Sequence, residues 1–295
     1  MPRNATFDYA RFVAACGILW FHAAAPGAGL AYAALPFFLI LTVYLSYPAA
    51  RRADFSSFAR DRAQRLLKPF LLWSLIYGGL KLAEVALTPR SFGDEFAWRM
   101  LVTGPAIHLW FLPFAFVLCL PLHPLARLWP DTARSSQDSA PQQTAPTVPA
   151  CLVVATLGAL FLTQPTTAPL AQWVFALPPA LAGLALALAG ARRHAVMVGL
   201  LAVAGLGLLA ARAGSEQLLV ALILIQLCLM CPRPATALSA LAARLSLGVY
   251  LAHPLVLSVL DRTLALPAGS LIRALCAVIL TGALAMAIDA RRSAR

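Results

Sequence analysis

The sequence predicts an all-α, polytopic membrane protein of about ten transmembrane helices with both termini on the cytoplasmic side. Three observations carry that prediction. Hydrophobic residues make up 61% of the 295-residue chain and charged residues only 12%, against about 25% charged in an average soluble domain; the mean hydropathy is +0.80. Apolar runs recur along the whole length, several of them long enough to cross a bilayer, which takes about 20 residues. The basic residues lie in short segments between those runs, as orientation signals do. They form no soluble basic surface, so the net charge of +12 does not point to nucleic acid.

Ten spans are expected, at about 7–25, 30–48, 69–87, 107–125, 149–163, 169–190, 195–211, 216–231, 245–260 and 268–289. With the N-terminus inside, sixteen Lys and Arg residues fall in cytoplasmic segments, the largest group being Arg51, Arg52, Arg60, Arg62, Arg65 and Lys68. Four fall outside: Arg90, Arg99, Arg212 and Arg262. That asymmetry obeys the positive-inside rule. The first span carries Asp8, Arg11 and His22, and no clear small-residue cleavage site precedes the next. It reads as a retained helix, not a cleaved signal peptide. Residues 130–149, rich in Pro, Ser, Thr and Gln, are expected to form a flexible cytoplasmic loop within a single transmembrane domain covering 1–295. All six cysteines lie in or beside apolar runs. Cys228-Leu-Met-Cys231 has metal-like spacing but lacks a second pair, so the thiols are expected to be small buried apolar groups, with no metal site.

Ionisable groups inside a bilayer are costly and mark functional positions. Arg11 and His22 are eleven residues apart, which leaves them about 20° from alignment on one helical face, with His22 roughly 16 Å further along the axis. Asp8 lies about 40° to the other side. The plain reading is an arginine neutralised by Asp8 and a packed histidine. The functional one is a general base, since the ordinary histidine pKa lies near neutrality. Arg62 and Arg65 are i,i+3 neighbours on a helical approach to the third span, with Pro69 as a break or a new start. Such a cationic cluster suits either a phosphate-bearing ligand or anionic lipid. In Ile107-His-Leu-Trp-Phe-Leu-Pro113, Trp110 and Phe111 fit an interfacial aromatic belt, and His108 is the candidate ligand contact. Ser246, Tyr250 and His253 share a face, as a helix–helix hydrogen-bonding stripe would. Lys81 and Glu84 are also i,i+3 and read as a mutually neutralising pair.

In this order the motifs resemble the membrane-bound acyltransferase-3 family, which O-acylates cell-surface glycans and other acceptors. The resemblance rests on Phe7-Asp-Tyr-Ala-Arg-Phe-Val-Ala-Ala followed by His22, on Pro36-Phe-Phe-Leu-Ile-Leu, on Arg62-x-x-Arg65, on His108-Leu-Trp-Phe-Leu and on Leu247-Gly-Val-Tyr-Leu-Ala-His-Pro254. Thr42-Val43 stands where the family usually has Ser-Gly, and this keeps a degenerate, inactive acyltransferase among the alternatives. The resemblance implies His22 as the catalytic residue and Arg11, Arg62, Arg65, His108 and His253 as substrate-binding residues. It implies cytoplasmic acyl-CoA as donor substrate, with acetyl as the expected acyl group and no permanently bound cofactor. A carbohydrate or lipid-linked acceptor would be modified at the outer side of a bacterial cytoplasmic membrane. The donor phosphates would meet the arginines, and the pantetheine arm would follow the polar face of the first helix to His22, which acts either as general base or as a transiently acylated nucleophile. Relatives with an added periplasmic hydrolase-like domain exist; this chain ends soon after its tenth span and is expected to lack one. The rival reading is a transporter or flippase for a lipid-linked or amphipathic solute.

Overall fold

The structure is a computed structural model that describes residues 4–89, 91–98, 100–128, 147–162, 170–264 and 266–293. Every regular element among them is helical: α1 (Ala5–His22), α2 (Ala28–Ala31), α3 (Ala34–Arg52), α4 (Phe55–Leu87), α5 (Phe92–Glu95), α6 (Met100–Thr103), a 3-10 turn (Ile107–Trp110) that runs into α7 (Phe111–Cys119), α8 (Leu122–Leu128), α9 (Thr147–Leu162), α10 (Leu170–Ala189), a 3-10 turn (Gly190–Arg192), α11 (Arg193–Leu209), α12 (Ser215–Met230), α13 (Ala237–Thr263) and α14 (Leu271–Ser293). Among the described residues six stretches are long and apolar enough to cross a membrane: Ala28–Arg52, Phe55–Leu87, Ile107–Leu128, Leu170–Leu209, Ala237–Thr263 and Leu271–Arg291. Val148–Leu162 and α12 are apolar but shorter. The ten expected spans overlap helices, 30–48 across α2 and α3 and 107–125 across the 3-10 turn, α7 and α8; α1 is not among the six stretches because Asp8, Arg11 and His22 dilute its apolar character. Of the expected loop at 130–149, residues 130–146 lie outside the described residues, and 147–149 open α9.

Local chemistry sets the helix ends. Asn4 caps α1, its side-chain oxygen accepting the Thr6 amide at 3.0 Å and the Arg233 amide at 3.1 Å. Its amide nitrogen donates to the Cys228 carbonyl at 3.0 Å, so the same side chain ties the start of α1 to the α12–α13 connection. Thr236 and Ser239 form a reciprocal capping box on α13. Asp54 caps α4 by accepting the Ser57 amide at 2.9 Å and the Ser56 hydroxyl at 2.7 Å. These bonds favour its ionised form and hold the carboxyl well below the usual carboxylate range. The cap is therefore intact at neutral pH and is lost only as strong acid protonates the folded protein.

Pro69 does not break α4 as expected. The helix runs through it for 33 residues, because Phe70, Trp73 and Tyr77 beyond the proline are buried and their packing outweighs the one backbone bond a proline removes.

The chain divides into two compact units. The first comprises 1–38 and 197–295 and the second 39–196, the boundaries lying inside α3 and α11. In the first, α1 packs chiefly against α13, and α13 against α14. Leu19, Ala23, Val256, Leu257, Leu260, Ala274 and Ala277 form one core cluster; Ala15, Leu245, Val249 and Ala285 form another. In the second, Val43, Tyr47, Phe58, Cys119, Leu122 and Ala180 pack together. Alanines sit among the larger side chains of each cluster, because helices that lack a hydrophobic drive to associate are held by close van der Waals approach. The tightest approach is at Gly183 of α10, where a Cβ would stand 2.6 Å from the Ile40 carbonyl oxygen and 3.1 Å from the Val43 Cβ. Backbone cannot yield as a side chain can. Gly183→Ala is accordingly expected to destabilise the second unit by about 1–3 kcal/mol, read as a lowered thermal midpoint of the detergent-solubilised protein. An unchanged midpoint would contradict this packing.

Candidate functional site

The first unit brings together two of the expected residues. His22 is the last residue of α1 and is exposed; His253 lies in α13 and is fully buried. Their rings are 5.0 Å apart, tilted by 30°. Phe21 packs edge-on to His22 at 5.1 Å and against Tyr32 at 4.2 Å.

The sequence explains how His253 is oriented. Pro254 has no amide hydrogen, so the helix cannot supply the usual donor to the carbonyl four residues earlier, that of Tyr250. The His253 Nδ1 takes that place, 2.7 Å from the Tyr250 carbonyl oxygen. A carbonyl only accepts, so Nδ1 carries the proton and, in the neutral ring, Nε2 carries the lone pair. The Tyr-Leu-Ala-His-Pro run thereby fixes one tautomer of a fully buried imidazole beside His22. The expected stripe on α13 is real as a face but bonds differently: Ser246 donates back to the Ala243 carbonyl of its own helix at 2.8 Å.

The chain leaves α1 immediately after His22 by a Schellman turn. The Ala25 amide donates to the Trp20 carbonyl at 3.4 Å and the Ala24 amide to the Phe21 carbonyl at 2.9 Å. Ala24 has φ +54°, a left-handed conformation that costs a residue with a Cβ roughly 1–2 kcal/mol. Ala24→Gly should raise stability by about 1 kcal/mol and leave the histidine pair in place; a lowered thermal midpoint would refute the assigned turn.

At the other end of α1, Arg11 stands 3.7 Å from the buried Asp8 carboxylate. The face between Arg11 and His22 holds Ala15 and Ile18, both buried, Ala15 against Leu245, Val249 and Ala285. This face is packed, so the pantetheine path expected along it is occupied by α13 and α14.

The second unit holds the other candidates. Asp61 receives the Arg65 Nε at 2.8 Å and an Arg62 Nη2. Arg62 also donates to the Ser46 hydroxyl at 3.1 Å and lies 5.5 Å over the Phe58 ring. Its side chain is 17% exposed and that of Arg65 68%, which separates a structural arginine from an available one. His108 is buried in the 3-10 turn, its ring edge-on to Tyr77 at 5.4 Å; Gly104, at φ +75°, makes the turn that leads there. Trp110 and Phe111 are buried. Trp110 packs on Phe114 at 5.5 Å, and Phe114 on Trp173 at 5.4 Å. Lys81 pairs with Glu95 at 2.8 Å, not with Glu84, because the short α5 carries a carboxylate back to α4. All six cysteines are free thiols; Cys119 and Cys228 are buried as expected, whereas Cys151 and Cys231 are exposed. Among the described residues no three His, Cys, Asp or Glu side chains gather as metal ligands would.

Sequence reasoning missed three charged groups. Asp61 lies inside the basic run and offsets it. Arg273 and Asp261 form a forked pair at 2.7 and 2.9 Å beside the end of α1. A lone arginine three residues into an apolar helix is the signal that would have found them.

A family model described as an acyltransferase domain matches residues 4–290 of the chain. No curated protein and no solved structure matches it.

Proposed function

Because the chain belongs to the membrane acyltransferase-3 family, we propose that it is an integral membrane O-acyltransferase that moves an acyl group, acetyl in the simplest case, from cytoplasmic acyl-CoA to a hydroxyl of a carbohydrate or lipid-linked acceptor at the outer side of a bacterial cytoplasmic membrane. Ten spans with both termini inside are part of this reading, supported by the basic-residue asymmetry and by the overlap of every expected span with helix.

The observation that carries the reading is the pair formed by exposed His22 and tautomer-fixed His253, with rings 5.0 Å apart. An exposed imidazole can accept the proton of an incoming hydroxyl. The hydroxyl oxygen then forms a bond to the thioester carbonyl carbon, the carbon–sulfur bond breaks, and the proton passes from His22 to the departing thiolate. His253, held by the Tyr250 carbonyl, packs against its neighbour. Arg65 is the candidate for the donor phosphates, with its fork largely open; Arg62 shapes that surface from below. Arg11 and His108 remain candidate substrate contacts, Arg11 through its exposed edge.

Mass spectrometry of surface glycans and lipid-linked sugars from cells with and without the gene tests the reading. One acyl mass per modified sugar should vanish with the gene. Identical glycan masses, with a lipid-linked solute stranded on the cytoplasmic side, would favour transport instead.

A further inference from the structure

The end of α1 is held by one buried side chain on which the reaction just described does not draw. Arg273, 6% exposed, lies in the first turn of α14. Its Nε and Nη2 donate to the two oxygens of Asp261 at 2.7 and 2.9 Å, and its Nη1 donates to the carbonyl of Ala23 at 2.8 Å. Ala23 is the residue directly after His22. Asp261 lies eight residues beyond His253 on α13. One planar guanidinium thus joins the helix that ends in His22 to the helix that carries His253. The Gly269 amide reinforces the same point, donating to the Ala23 carbonyl at 3.1 Å; Gly269 has φ +84°, and a Cβ there would stand 3.3 Å from the Ala24 carbonyl.

The Arg273 side chain is buried and that of Asp261 about half exposed, and an ion pair reaching the surface in this way is a weak device for stability. What it offers here is direction. A guanidinium fixes three acceptors in one plane at set angles, which an ammonium cannot do. We propose that Arg273 is a positioning residue that sets the spacing of His22 and His253 by locking the Ala23 carbonyl of α1 to the Asp261 carboxylate of α13. The proposal rests on His22 as the reacting imidazole for its catalytic consequence, but the spacing itself can be measured without any reaction.

The test uses the protein in two preparations, solubilised in detergent and in membranes, with one readout from each. Carbethoxylation of His22 by diethyl pyrocarbonate, followed by mass spectrometry, reports the environment of that imidazole in the folded protein. Release of CoA from acetyl-CoA, in membranes that supply the acceptor, reports turnover. Arg273→Ala should change the His22 carbethoxylation rate several-fold. It should lower kcat by about 100-fold, as expected when a reacting group is displaced by about 1 Å, with KM for acetyl-CoA held within about twofold. Arg273→Lys should recover only a minor part, and added guanidinium should partly rescue the alanine variant. Asp261→Asn, which keeps the shape and loses one acceptor of the fork, should give an intermediate change in His22 reactivity and serves if the alanine variant does not fold. An unaltered His22 rate in folded Arg273→Ala or Asp261→Asn protein would overturn the proposal, as would a kcat that falls only with the folded fraction. Failure of the acyltransfer reading would look different: His22→Ala would keep full turnover even while Arg273→Ala altered His22 carbethoxylation.

Discussion

Replacing His22 with alanine is expected to lower acyl transfer by about 100- to 10,000-fold, the usual contribution of a positioned acid–base group. Expression and membrane insertion should persist, and the thermal midpoint should fall only slightly. The two halves of that expectation have separate physical causes. His22 ends its helix with one edge exposed and the ring against Phe21 and His253, so its removal should cost about 1 kcal/mol of stability. Its chemistry has no stand-in, because the neighbouring His253 is fully buried and its Nδ1 is engaged by the Tyr250 carbonyl. His253→Ala would not serve as well as a probe of catalysis, since it empties a fully buried site next to Pro254 and confounds folding with function. CoA release and glycan labelling, both normalised to folded protein, check the prediction. Full activity in His22→Ala would remove the histidine from the reaction.

The second large effect separates two arginines that the sequence treats alike. Arg62→Ala should destabilise the second unit by about 1–3 kcal/mol, as the Ser46 hydroxyl and one side of Asp61 lose a charged partner in a largely buried setting. Arg65→Ala should leave stability within about 0.5 kcal/mol, as expected for a mostly exposed side chain. If Arg65 binds donor phosphates, that variant should raise KM for acyl-CoA about tenfold while leaving kcat nearly unchanged, the pattern of lost uniform binding. Asp61→Asn should act in the opposite sense on KM, because it frees the Arg65 fork from its intramolecular carboxylate. Titration with acyl-CoA and thermal unfolding on the same preparations check both variants. An unchanged KM in Arg65→Ala would contradict the phosphate role, and an unchanged midpoint in Arg62→Ala would contradict its structural one.

The helical character of the chain was legible because it rests on composition and on run length, both additive over many residues. His22 and His253 stand out in the sequence for a related reason: a polar group in an apolar run carries a cost that calls for an explanation. What the sequence concealed was partnership. Lys81 meets Glu95 across a connection instead of Glu84 on its own helix, because i,i+3 spacing permits a pair without preferring it to a carboxylate brought in from elsewhere. Trp110 and Phe111 read as a belt from their place at a span end, and their burial, with Trp110 packed on Phe114, is not visible from that place alone. Asp61 was hidden by its basic neighbours, although it determines how much of the Arg62–Arg65 pair is left to bind anything. Pro69 looked like a boundary because proline removes one backbone bond, and the aromatic packing that follows it cannot be read from local propensity. The Tyr250–His253–Pro254 relation is the converse case. Its elements are all in the sequence, and the missing amide of a helical proline is enough to predict a freed carbonyl four residues earlier.

The central claim is that the imidazole ending α1 carries the proton while an acyl group passes from a thioester to a hydroxyl. The most direct measurement uses wild-type protein and the His22→Ala variant in membranes, supplied with acetyl-CoA radiolabelled in the acetyl group, followed by isolation of glycans and lipid-linked sugars. The account predicts base-labile label on carbohydrate, with one CoA released per acetyl transferred, in wild type alone. Equal labelling by His22→Ala, or CoA-independent movement of a lipid-linked solute with no label on carbohydrate, would contradict it.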